Sequence, residues 1–175
     1  MRTVARNLAL LNILYFLCCS IAYSDDIGPP LRLPKGAVKI QPSALSPVEK
    51  NHILSYIPQG YQGKEAFKVD LNNDGKDEVI VFYDNLTAAP SMADMASRCM
   101  ILMANGNTYT KQVVFDKSKN GEAYFGDAHS PPLFYSLNGK TMVRVKTYSR
   151  GTASFSDIYW DGQKFLEKKV RYERY

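Results

Sequence analysis

From Lys64 onward the hydrophobic pattern takes on a β texture of short apolar runs separated by polar turns. Val143 and Val145 alternate with Arg144 and Lys146, which predicts one dry and one wet face there. Short runs rich in Val, Ile, Tyr, Phe and Thr predict strands over Ala66–Val69, Val79–Tyr83, Arg98–Ala104, Thr108–Phe115, Leu133–Leu137, Thr141–Tyr148, Ala153–Trp160 and Lys164–Tyr172. Four Asx-Gly pairs punctuate these runs: Asn105-Gly106, Asn120-Gly121, Asn138-Gly139 and Asp161-Gly162. Asx-Gly tolerates the positive φ of a tight turn, so each pair is expected to join two antiparallel strands. The period changes only once. Ser46-Pro47-Val48-Glu49 reads as a helix start, with Ser46 as cap, Pro47 in the first turn and Glu49 returning a bond to the cap. Val48, Ile53, Leu54 and Ile57 fall near one face of that helix, and Pro58 and Gly60 stop it. The expected fold is α+β: mostly an antiparallel β meander with one short N-terminal helix. Two longer connections, Asp84–Ser97 and Gly126–Pro132, interrupt it, and Ser91–Ser97 has room for one helical turn.

The N-terminus adds a compartment. Met1–Asn7 carries two arginines and no acid, and Leu8–Ala22 is apolar apart from Asn12 and Ser20. That stretch is shorter than the ~20 apolar residues of a membrane-spanning helix. Ala22-Tyr23-Ser24 places small residues where a secretory peptidase needs them. The expectation is a signal peptide over residues 1–24, with the alternative of an uncleaved anchor. A Pro-rich extended leader over 25–45 and a single β-rich domain over 46–175 follow. Cys18 and Cys19 lack the preceding residues that acylation requires, so a lipoprotein is not expected. Only Cys99 would survive cleavage, beside Met100, Ile101 and Leu102, and it reads as a buried thiol in a strand.

Composition narrows the class without naming an activity. The chain has 175 residues, 45% hydrophobic and 22% charged, which suits one globular domain. The formal charge of +5 falls to +3 once Arg2 and Arg6 leave, with 20 basic against 17 acidic residues. That balance is too mild to imply nucleic acid. A multi-domain enzyme, a membrane channel and a disulfide scaffold are all excluded.

One segment carries specific chemistry. Asp70-Leu71-Asn72-Asn73-Asp74-Gly75-Lys76-Asp77-Glu78 sets oxygen side chains at loop positions 1, 3, 5 and 9, with glycine at position 6. Alternate residues of a tight loop point inward, so Asp70, Asn72 and Asp74 can meet one hard cation. Gly75 permits the sharp turn, the Lys76 carbonyl supplies a fourth oxygen, and Glu78 closes the shell directly or through water. Three carboxylates in one turn also repel each other unless a cation neutralises them. The expected ion is calcium in a structural role, with a metal set of Asp70, Asn72, Asp74, Lys76 and Glu78. An ion-free Asx-rich turn is the competing reading.

The flanks decide between loop families. A helix–loop–helix calcium hand needs Glu at position 12, where this chain has Val81. Phe67 and Val69 before the loop, and Val79–Phe82 after it, are strand residues. Val69–Val81 therefore resembles the calcium hairpin of FG-GAP and VCBS-type repeats, the modules of integrin α-chain propellers and of many exported bacterial proteins. That family usually carries Asp at the ninth position, and Glu78 stands there in this chain. The hairpin occurs here in a single copy. Trp160–Phe165 is similar to the closing hairpin of exported proteins with a lone loop of this kind.

Other groups read more plainly. His52 lies in the short helix, and His129 lies in a loop between Asp127 and Ser130 without a nucleophile-elbow motif. Met92, Met95, Met100 and Met103 read as core or loop filling rather than copper ligands. The late aromatics, Tyr148, Phe155, Tyr159, Trp160, Phe165, Tyr172 and Tyr175, read as sheet filling, with stacking on a sugar or partner as the sharper use. Lys164, Lys168, Lys169, Arg171 and Arg174 give a basic C-terminal strand that guards an edge or meets an acidic surface. The functional expectation is a periplasmic or secreted non-enzymatic binding module. It would recognise a protein or glycan at the cell envelope, as an inhibitor or immunity protein does, with no nucleic acid and no membrane span after cleavage. The alternative is a small secreted hydrolase with its acids in the two long connections.

Overall fold

The computed structural model describes residues 31–85, 95–125, 131–149 and 152–170. The expected signal, the first part of the leader, and His129 with Asp127 and Ser130 lie outside the described residues, as do Met92, Arg171, Tyr172, Arg174 and Tyr175. In chain order the elements are β1 (Val38–Ile40), α1 (Pro47–Leu54), β2 (Tyr61–Val69), β3 (Glu78–Asn85), β4 (Met95–Ala96) and β5 (Arg98–Asn105). They continue with β6 (Thr108–Asp116), a single 3₁₀ turn at Ser118–Asn120, β7 (Glu122–Phe125) and β8 (Leu133–Leu137). The last three are β9 (Lys140–Ser149), β10 (Thr152–Trp160) and β11 (Phe165–Val170). The fold is thus mostly antiparallel sheet with one short helix, and the strands divide into two sheets rather than one meander.

The smaller sheet runs β2-β3-β5-β6, and the larger one runs β1-β8-β9-β10-β11. Strand β9 is long enough to pair twice along the same edge. Its first half takes β8 and its last residues take β7, to which the short β4 is added. The two sheets face each other across a core of Ile80, Phe82, Cys99 and Ile101 on one side and Phe134, Val143, Val145 and Ile158 on the other. Each buried side chain of this size contributes roughly 1.5–3 kcal/mol. Phe67 packs on both Phe82 and Phe134, with ring centroids 6.3 and 5.2 Å away, so it joins the layers.

The opposite face of the small sheet is covered as well. Val79, Val81, Tyr83, Met100 and Leu102 pack against Ile53 of α1. Strand β3 is buried on both faces, which is why Val79–Tyr83 is apolar without alternation. Helix α1 starts as its sequence predicts. The Ser46 side chain accepts from the Glu49 amide, and Glu49 returns a bond to the Ser46 amide. Its sequence is scarcely amphipathic, however, and only Ile53 is fully buried.

Four expectations need correction. The Asn120-Gly121 pair closes no hairpin: it ends the 3₁₀ turn that carries the chain from β6 in the small sheet to β7 in the large one. Met95–Ala96, read as the end of a helical turn, is a strand paired with β7, where a short extended segment buries Ala96 in the core. Residues Val38–Ile40 of the leader pair with β8. The wet face expected on β9 is not wet. Lys146 is only 2% exposed, and Arg144 binds both carboxylate oxygens of Asp157 at 2.8 Å.

Charged side chains also fasten the sheets at one end. The Lys117 Nζ lies 2.7 Å from Glu167 and 3.6 Å from Glu122. The Tyr124 hydroxyl donates to Glu167 at 3.1 Å, and Lys169 donates to Glu122 at 2.7 Å.

Candidate metal loop

The loop of interest joins β2 to β3, which pair antiparallel from Val69↔Glu78 outward. Apolar strand residues on both sides fix its ends. Val69, Leu71 and Val79 are buried, and between them residues 73–76 form a short, exposed arch. Two residues on this arch have a positive φ, Asn73 at 60° and Gly75 at 84°. Asn and Gly are the residues that accept this conformation at least cost.

The oxygen side chains fold back onto the loop's own amides. Asp70 Oδ1 accepts from the Asp74 amide at 3.1 Å, and Asp70 Oδ2 accepts from the Gly75 amide at 3.0 Å. Asn72 Oδ1 accepts from the Asp74 amide at 2.9 Å, and Asp74 Oδ1 accepts from the Lys76 amide at 2.8 Å. The Asn72 side-chain amide also donates to Asp74 Oδ2 at 3.1 Å. Asp70, Asn72 and Asp74 are thus brought together in one turn. Lys76 takes part through its backbone, and its exposed side chain forms no ion pair among the described residues.

Glu78 sits at the base of the arch and is only 1% exposed. Its Oε2 accepts from the amides of Leu71 at 2.8 Å and Asn72 at 3.2 Å. Burial, with the nearby charges of Asp74 and Asp70, outweighs those two bonds and pushes its carboxyl up to about 7. The ionised form of Glu78 is therefore disfavoured where it sits.

The donor set suits a hard divalent cation. It is all oxygen and flexible in spacing, and its three carboxylates leave negative charge to be neutralised. Asp70, Asn72, Asp74, the Lys76 carbonyl and Glu78 could hold such an ion. Among the described residues no three His, Cys, Asp or Glu side chains form a compact cage, and this set depends on an amide and a carbonyl in addition to carboxylates.

Sequence reasoning missed how the loop is anchored. Asn73 reaches across to the other sheet, donating to the Gly139 carbonyl at 3.2 Å and accepting from the Thr141 hydroxyl at 2.8 Å. The Asx-Gly turn at Asn138-Gly139 was visible as a hairpin signal, but nothing local connects it to a loop more than sixty residues earlier. No protein-family model matches the chain, and no curated protein or solved structure gives a match to set beside it.

Proposed function

We propose that this chain is an exported, non-enzymatic binding module whose Asp70–Glu78 loop takes a structural calcium ion. The observation that carries the reading is the inward turn of Asp70, Asn72 and Asp74 above a buried Glu78. The spacing of the same residues resembles that of the calcium hairpins of FG-GAP and VCBS-type repeats, which supports the reading. The ion would neutralise the crowded carboxylates and stiffen the arch. Asn73 would pass that stiffness to the β8–β9 turn, tying both sheets to one point. The module would then present its rigid surface to a protein or glycan at the cell envelope, in the periplasm or outside the cell.

Thermal melting of the full chain tests the ion. Melting in excess chelator is compared with melting in millimolar calcium and in millimolar magnesium. The expected result is a calcium-specific rise in Tm that Asp74→Ala abolishes. An identical Tm in chelator and calcium overturns the reading.

A further inference from the structure

The loop has a second side. Its odd positions turn inward, whereas Gly75 and Asp77 line a groove of about 670 Å³ between the first turns of α1 and the β5–β6 turn. Ligand sites commonly have volumes of this order. We propose that this groove binds a neutral pyranose oligosaccharide, a proposal that rests on the reading of the chain as a binding module and names its ligand class.

An aromatic group forms one wall. The Tyr109 ring stands edge-on to Tyr56 with centroids 6.4 Å apart, and His52 stands edge-on to Tyr56 at 5.3 Å. The Tyr56 hydroxyl accepts from the Tyr109 amide at 3.0 Å and lies 3.3 Å from His52 Nε2. These contacts hold the Tyr109 backbone and ring before any ligand arrives. A half-buried ring of this kind can take the C–H face of a pyranose.

Hydrogen-bonding groups surround that ring without forming an anion site. Asn107 is exposed, and its side chain has no partner among the described residues. The Thr108 hydroxyl donates to the Asn105 carbonyl, which leaves its lone pairs as acceptors. The Asp77 carboxylate has no hydrogen-bond partner among the described residues. Lys68 is already bonded to Glu49 at 2.8 Å. One cation against two carboxylates repels phosphate, sulfate and uronate, whereas sugar hydroxyls can donate to Asp77 and accept from the Asn107 amide. A peptide anchored by apolar side chains has little to hold it. Val48, 79% exposed, is the one large aliphatic side chain offered on this rim.

The test is amide chemical-shift mapping of the full chain with maltotriose, cellotriose and chitotriose. A galacturonate trimer serves as the anionic control, and an acidic and a basic heptapeptide serve as peptide probes. At least one neutral trisaccharide should give saturable shifts confined to the groove, at Lys68 and residues 48–52, 75–77 and 104–109. Asn107→Ala and Asp77→Asn should each weaken binding at least tenfold with an unchanged Tm. Shifts that are absent or scattered for all three neutral sugars overturn the proposal, as do shifts from a peptide or the uronate alone, or variants that bind like the parent. Calcium melting on the same samples separates this site from the ion. Asn107-dependent sugar binding in a chain with no calcium response keeps the groove and removes the ion, and the converse removes the groove alone.

Discussion

The Thr141 hydroxyl donates to the Asn73 side-chain carbonyl at 2.8 Å, joining a residue of the candidate metal loop to the first residues of β9. The donor is buried, and the acceptor belongs to a residue held at φ 60°. Together with the bond from the Asn73 side-chain amide to the Gly139 carbonyl, it links the geometry of the loop to the packing of the opposite sheet.

Removing that donor should loosen the loop without moving the core. Thr141→Val keeps the shape of the side chain and loses the hydroxyl. Urea unfolding is expected to show a loss of about 0.5–1.5 kcal/mol, the net contribution of an ordinary hydrogen bond whose acceptor can still reach water. The calcium midpoint should shift to higher concentration in the same variant, because a looser arch must be ordered when the ion binds.

Glu78 separates charge from scaffolding. Glu78→Gln retains an oxygen that accepts from the Leu71 and Asn72 amides, and it removes the repulsion from Asp70 and Asp74. The chelated variant should melt at or above the parent, yet its calcium response should be lost. Glu78→Ala leaves two amides without their acceptor and should cost about 1–3 kcal/mol even in chelator. Melting curves of both variants, with and without calcium, check the pair.

The helix start sets an acid transition. A hydrogen bond from Lys68, with the Ser46 backbone and side chain, holds the Glu49 carboxyl down at about 2. A depressed carboxyl contributes stability that is complete above its unfolded value near 4.5 and is lost as pH falls through about 2. Side-chain NMR titration of Glu49 should show the low midpoint. Glu49→Gln should flatten the dependence of stability on pH between those limits.

The Arg144–Asp157 pair is predicted to be strongly coupled. Its side chains are 12% and 9% exposed, and the fork makes two bonds of 2.8 Å. Asp157→Asn or Arg144→Met alone leaves a buried charge and should cost about 3–5 kcal/mol. Replacing both with apolar residues should cost less than the two single changes together. A double-mutant cycle in urea reads the coupling directly.

How much of this was legible beforehand follows from the range over which each signal acts. The strands announced themselves by short β-branched and aromatic runs, and three of the four Asx-Gly pairs close the expected hairpins because the turn chemistry lies within the pair. Asn120-Gly121 did not, since its local conformation suits a hairpin and a crossover turn equally. The division into two sheets was illegible, because β4, β7 and β1 are too short to carry a period of their own. Lys146 and Arg144 looked solvated because polarity along a strand does not reveal a partner such as Asp157 on the next one. Within the candidate site, the positive φ of Gly75 and the gathering of Asp70, Asn72 and Asp74 in one turn were legible from spacing alone. The burial of Glu78 and the Asn73–Thr141 bond required the fold.

Calcium titration calorimetry of the full chain tests the central claim most directly. The predicted result is one ion per chain with a dissociation constant of about 10⁻⁴–10⁻³ M, and no binding heat in Asp74→Ala. A parent chain that shows no saturable heat, or an Asp74→Ala chain that binds as the parent does, contradicts it.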